Sequence, residues 1–310
     1  MEVKQSQWKA WLYLAPTIIL MIVFTFYPLV NTFITAFKEN YNYFSGEYSG
    51  IGLGNFEILF VRSDVNPDMN FINIYLKNTA LIAVVSVPIS IALALIIAVA
   101  LNSIPKFQKV LQTIFFLPYV TNTIAIGMVF AVMFDDKSGL VNTLVQMFGG
   151  DPIKWLGSDL GTAPYVNSLA VLLIYIVWDA LPFKILLFLS SLQGIDKQYY
   201  QAAQIDGTSK LRTFGRITVP LLSPQIVYLM ITSFIGAFKE YNSVISIFDN
   251  ARPYGYQQNT MATIVWYIYD SLKRVDGGVG RAAAGAVVLF VIIMIITAIQ
   301  SQVSKRFVHY

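Results

Sequence analysis

The sequence predicts an all-α membrane protein, and three observations lead there. Apolar residues make up 56% of the 310-residue chain and charged residues only 12%, with a mean hydropathy of +0.61. So little polar surface cannot clothe a water-soluble globule, and lipid must be the solvent. The apolar residues gather into six runs, each long enough for roughly 30 Å of hydrocarbon, which takes about 20 helical residues. The runs are continuous rather than alternating, which fits helices whose backbone groups are satisfied within the segment and not barrel strands.

The runs are 11–37, 78–105, 110–134, 160–195, 217–248 and 282–304, and they predict spans at about 11–37, 78–104, 110–134, 164–192, 219–248 and 282–304. The first follows Lys4 and Lys9 as a signal peptide would, but its apolar stretch is too long and no small-residue cleavage site follows, so it is expected to stay attached as a span. Pro28, Pro88, Pro118 and Pro182 lie inside runs. Neighbouring helices and water can satisfy the carbonyls they free, so they are expected to kink the helices rather than end them. A further apolar stretch at 260–269 is only ten residues long and fits a re-entrant or external helix. The connections 38–76 and 135–159, rich in Asn, Gly, Asp and aromatic residues, are shorter than the roughly 50 residues of an independent core and predict ordered caps. The chain, 1–310, therefore reads as one membrane domain.

Orientation follows from the basic residues. With both termini cytosolic, the inner side carries Lys4, Lys9, Lys106, Lys109, Lys197, Lys210, Arg212, Arg216, Lys305 and Arg306 against only Glu2, Asp196 and Asp206. The longer outer loops, which include Lys38, Arg62 and Lys77, hold more acids than cations. Positive charge concentrates in short cytosolic loops, so termini inside is the expected arrangement, in a multi-pass cell-membrane protein. The net charge of +4 is explained the same way, and basic residues scattered through loops do not form a nucleic-acid footprint.

Several chemistries are excluded. There are no cysteines, hence no disulfides, iron–sulfur clusters or thiolate zinc sites. The single histidine, His309, sits in the tail, away from any group of ligands, and a Ser-His-Asp set would have to use it. No Gly-x-x-x-x-Gly-Lys-Ser/Thr phosphate cradle is present. The chain reads as a non-enzyme with no metal site, and any nucleotide-driven work must be done by another subunit.

The polar segment 196–219 separates the fourth and fifth runs. Asp196 can cap a short helix over 197–205, which Gly207 stops. Lys210, Arg212 and Arg216 follow, and Pro220 re-enters the membrane. Read alone, this is either an interfacial amphipathic helix with cations at the headgroups or a dock for a protein. The order Gln201-Ala202-Ala203, three residues, Gly207, nine residues, Ile217-Thr218-Val219-Pro220 resembles the EAA loop of binding-protein-dependent importer permeases, whose pattern is Glu-Ala-Ala, three, Gly, nine, Ile-x-Leu-Pro. Gln201 replaces the Glu and Val219 the Leu. Gly52-Leu53-Gly54-Asn55-Phe56, Phe115-Phe116-Leu117-Pro118-Tyr119, Gly139-Leu140-Val141-Asn142 and the segment through Trp178 and Pro182 extend the likeness over residues 10 to 305, to the larger-subunit branch of the maltose and glycerol-phosphate type carbohydrate importers.

The resemblance implies the six-helix ABC type I importer (MetI-like) permease fold. It implies that Gln201, Ala202, Ala203, Asp206, Gly207, Ile217 and Pro220 belong to a coupling loop docking on a cytosolic ATPase dimer, which binds ATP and magnesium, with no cofactor in this chain. It also implies a second homologous permease subunit, an extracellular or lipid-anchored binding protein, and a sugar or oligosaccharide moved by alternating access. Asp179, Lys184, Lys239 and Glu240 lie inside runs, where charge costs several kcal/mol, so each needs a partner or water. Pairing between spans, Asp179 with Lys239 or Lys184 with Glu240, is one expectation; lining a substrate pathway is a second, and snorkelling at the lipid edge a third. Tyr119 and Asn122 in the third run, with Trp178, Tyr241 and Asn242 beside the charges in sequence, offer aromatic faces and amides for a sugar. Two alternatives stay open: an ATP-independent secondary transporter or channel, and an ABC importer of a non-carbohydrate solute.

Overall fold

The computed structural model describes residues 7–61, 71–104, 108–157, 163–248, 261–274 and 277–307. Expectations placed on Glu2, Lys4, Arg62, Lys106 and His309, and on residues 105 and 260, lie outside them. In chain order the helices are α1 (Gln7–Met21), α2 (Tyr27–Ala36), α3 (Gly54–Phe60), α4 (Lys77–Asn102), α5 (Gln108–Val120), α6 (Thr123–Met133), α7 (Leu140–Met147) and α8 (Tyr165–Gln193). They continue with α9 (Lys197–Ile205), α10 (Lys210–Thr213), α11 (Val219–Leu221), α12 (Ser223–Phe238), α13 (Asn242–Phe248), α14 (Ile264–Leu272) and α15 (Gly278–Phe307). Turns of π-helix at Ile22–Phe26, Phe71–Leu76 and Phe214–Thr218 run into α2, α4 and α11. One antiparallel ribbon pairs β1 (Lys38–Glu39) with β2 (Gly50–Ile51).

Among the described residues four helical runs are long and apolar enough to cross a membrane: Trp8–Ala36, Phe71–Asn102, Tyr165–Gln193 and Gly278–Lys305. Two bent pairs, Val110–Val120 with Thr123–Met133 and Lys210–Leu221 with Ser223–Phe238, raise the number to six if each is one span. The runs expected at 110–134 and 217–248 are therefore broken rather than continuous. In the first, the axis turns by 95° at Thr121–Asn122. Thr121 Oγ1 donates to the Pro118 carbonyl at 2.6 Å, and Asn122 Oδ1 accepts from the N–H groups of Ile124 (2.9 Å) and Ala125 (3.2 Å). These side chains satisfy backbone groups that the break exposes. Pro118 thus stands just before a helix end, contrary to the expectation of a simple kink, whereas Pro88 and Pro182 remain inside α4 and α8. In the second, the axis bends 66° beside Leu222, and the helix stops at Phe238, leaving Lys239–Tyr241 as a link to α13.

The chain divides into two compact units, 1–70 with 267–290 and 71–266 with 291–310. In the first, Ala36, Ala283, Ala284 and Val287 pack with Phe33 and Phe56. The Asn55 amide, 3% exposed, donates to the carbonyls of Ala36 (3.0 Å) and Lys38 (2.9 Å). Glu39 Oε1 accepts from the Gly54 N–H at 2.8 Å, and a Cβ at Gly52 or Gly54 would strike the Glu39 side chain. The Gly-Leu-Gly-Asn-Phe motif is thereby explained by close packing.

In the second unit α4 packs along α8, α12 lies against α4, and α13 against α6. Ile82, Leu172, Tyr175, Val244 and Met261 form the centre of its core. The α6–α13 approach needs Gly127, where a Cβ would collide with Ser246. Residues 135–157 form an ordered cap: Asp136 Oδ1 accepts from the N–H groups of Trp155 (2.7 Å) and Leu156 (3.0 Å), and the buried Asn142 amide donates to the carbonyls of Asp136 (2.9 Å) and Ile153 (2.8 Å).

Candidate functional site

Within the second unit a cavity of about 340 Å³ opens between α4, α8, the α5–α6 break and the end of α12. Its ionisable lining consists of Asp179, Lys184 and Glu240. Lys184, only 6% exposed, donates to Ser90 Oγ, which in turn donates to the Val87 carbonyl at 3.0 Å. Glu240 Oε1 accepts from the Ser243 N–H (3.1 Å) and hydroxyl (2.8 Å), and its own carbonyl accepts from Thr263 Oγ1 at 2.7 Å. Asp179 accepts no hydrogen bond from the described residues, so its oxygens are available to whatever enters. The same cavity holds an aromatic plate: Tyr119 stacks on Phe183 with ring centroids 5.8 Å apart and planes 14° from parallel, and both residues line it.

The expected ion pairs do not form. Among the described residues neither Asp179 with Lys239 nor Lys184 with Glu240 makes a salt bridge, because Lys184 turns to Ser90, Glu240 caps the start of α13, and Lys239 lies exposed in the link after α12. Of the anticipated pathway residues, Tyr119, Asp179, Lys184 and Glu240 come together, whereas Asn122, Trp178, Lys239, Tyr241 and Asn242 do not line this cavity. Asn122 is occupied as a helix cap, and Trp178 packs on Phe130 with centroids 5.5 Å apart. The reading missed Ser86, Ser90 and Phe183. Ser86 and Ser90 stand one turn apart in the apolar middle of α4, a helical spacing that places two hydroxyls on one face.

A second feature is the polar segment after α8. Asp196 accepts from the Gln198 N–H at 2.9 Å and starts α9. Gly207 ends it at φ +65°, with Thr208 N–H bonded to the Ala203 carbonyl (2.9 Å) and Gly207 N–H to that of Gln204 (3.1 Å), a Schellman closure. Gln201, Ala202, Asp206 and Gly207 are exposed, as is Ile205 at 86%, but Ala203 is buried at 6%. Ile217 and Pro220 are half-buried beyond the turn, and Tyr200 Oη lies 3.3 Å from Thr218 Oγ1, fastening the helix to the returning chain.

Broken apolar helices, a cavity with charged side chains among apolar ones and a capped polar helix between long apolar helices together fit a solute permease. The family described as binding-protein-dependent transport system inner membrane component matches residues 90–309, and the chain belongs to it. It is 30% identical to the lactose transport system permease protein LacF of Rhizobium radiobacter, over 96% of this chain and 94% of that one. It is 28% identical to the arabinooligosaccharides transport system permease protein AraP of Bacillus subtilis, over 98% of this chain and 94% of that one. In fold it is similar to a chain of a bacterial ABC transporter involved in the import of the acidic polysaccharide alginate, with a TM-score of 0.80 at 21% identity, covering 97% of this chain and 96% of that one.

Proposed function

We propose that this chain passes a sugar or oligosaccharide through the cavity among α4, α5–α6, α8 and α12, as the membrane half of an ATP-driven importer. The observation that carries the reading is the cavity's mixed chemistry: the Tyr119–Phe183 plate suits the apolar face of a sugar ring, and the Asp179 oxygens, which accept no hydrogen bond from the described residues, suit its hydroxyl groups together with the serine hydroxyls. Its volume of about 340 Å³ falls in the range of roughly 300–1,000 Å³ usual for small-molecule sites. The saccharides in the names of the relatives support the same cargo class.

In this proposal each bent pair counts as one span, giving six, with both termini in the cytosol. Helix α9 is the lever docked on a cytosolic ATPase dimer, which holds ATP and magnesium, and its motion exchanges inward- and outward-open arrangements of the spans. A second permease subunit supplies the other lever, and an extracellular binding protein delivers the cargo. The test is uptake by the complete complex reconstituted with its binding protein. Phe183→Ala and Tyr119→Ala should each reduce saccharide uptake about fivefold or more, the loss expected when a stacking face worth about 1–3 kcal/mol is removed, with the complex intact by native mass. Undiminished uptake in both variants, or uptake in the absence of the ATPase, would overturn it.

A further inference from the structure

We infer that the cavity admits uncharged saccharides and rejects uronate-bearing ones, with Asp179 and Glu240 as the excluding charges. The inference rests on the saccharide reading above and narrows its cargo. The cavity carries two carboxylates against one ammonium, and the ammonium is the more withdrawn: Lys184 is 6% exposed and commits a proton to Ser90 Oγ on α4. The carboxylates face inward differently. Glu240 uses Oε1 to hold Ser243, and Asp179 receives no hydrogen bond from the described residues, so both oxygens of the latter are open acceptors.

Open carboxylates match the hydroxyls of a neutral sugar, which donate hydrogen bonds, and charge-assisted bonds of this kind are stronger than neutral ones. A uronate's carboxylate presents oxygens that only accept, and it brings a third negative charge beside two others in a cavity walled largely by apolar side chains, where like charges repel more than in bulk water. The remaining lining of Ser86, Thr123 and Ser233 is polar but uncharged and supplies no compensating cation. The likeness to the alginate importer is one of fold at 21% identity and leaves the cargo of this chain to be decided by its own side chains.

The absence of native cysteines makes the test direct. Ser233→Cys places one thiol in the cavity lining, and its modification by uncharged methyl methanethiosulfonate is followed as the intact mass of this chain in the assembled complex. Arabinotriose, trigalacturonate and the methyl ester of trigalacturonate are compared as protecting solutes. Arabinotriose and the ester should protect at concentrations at least about tenfold lower than the free acid. Asp179→Asn, which loses no hydrogen bond from the described residues, should narrow that gap by itself, and combined with Glu240→Gln should close it to within about threefold. Protection by the free acid as good as by its ester in the parent, or a gap unchanged in both variants, overturns the charge exclusion while leaving the saccharide site standing. Protection by none of the three in any background removes the saccharide reading, and the exclusion with it.

Discussion

Lys184 and Lys239 look equivalent in the sequence, each a cation inside an apolar run, and the fold treats them in opposite ways. Lys184 is buried and donates to Ser90, whereas Lys239 follows the last turn of α12 and is exposed. Lys184→Met should therefore lower the stability of the complex by about 1–3 kcal/mol, the usual loss when a charged hydrogen bond is removed, and should leave the two cavity carboxylates without their cation. Lys239→Met should stay within about 0.5 kcal/mol of the parent, as exposed substitutions do. Thermal unfolding of the solubilised complex distinguishes them, and equal losses would contradict this assignment. Charges inside the runs were legible because hydropathy makes them conspicuous. Their partners were not, since pairing depends on which face each residue presents, and the break after Phe238 turned Lys239 away from the cavity side on which Glu240 remained.

At the scale of elements, legibility follows the range of the interactions that decide them. Helix α9 was readable to its ends because Asp196 and Gly207 act within two or three residues of the turns they close. Gly207 has no atom within 4 Å of an added Cβ, so a substitution there strains the backbone alone. Gly207→Ala should cost about 1 kcal/mol and Gly207→Val more, while Gly207→Asn should be tolerated best; thermal unfolding would check the order. The docking test belongs at Ala202, not Ala203. Ala202→Trp adds bulk to an exposed surface and should uncouple binding-protein-stimulated ATP hydrolysis with stability preserved, whereas Ala203→Trp should first disrupt the chain's own packing. Full coupling in Ala202→Trp would remove this face of α9 from the ATPase contact. The broken spans were harder to read. A hydropathy reading bridges 110–134, although Thr121-Asn122 after Pro118 offers both a hydroxyl for the freed carbonyl and a helix cap. Packing between distant elements left still less trace: Gly127 is required by Ser246, more than a hundred residues away. Gly127→Ala should destabilise the α6–α13 contact, with recovery in the Gly127→Ala and Ser246→Gly double variant.

For the whole molecule, composition announced a membrane protein, but the number of subunits working with it must be argued from what the chain leaves unfinished. It has no nucleotide-binding motif, and it presents one polar helix between spans, α9, with Ile205 86% exposed and Leu211, just beyond the turn, 84% exposed. With the segment cytosolic, as proposed above, a partner seated on α9 would cover both side chains. On the proposed reading one such loop serves one ATPase protomer, and an ATPase dimer then calls for a second permease loop. The resemblance of the sequence motifs to the larger-subunit branch implies, on the same reading, that the second permease is a different chain. Native mass of the detergent-solubilised complex should therefore give one copy of this chain, one homologous permease and two ATPase protomers. Ile205→Asp should release the ATPase while leaving the two permeases together, because a charge then occupies the apolar contact. Two copies of this chain with no other permease would refute the unequal pair, and retention of the ATPase by Ile205→Asp would place the dock away from α9.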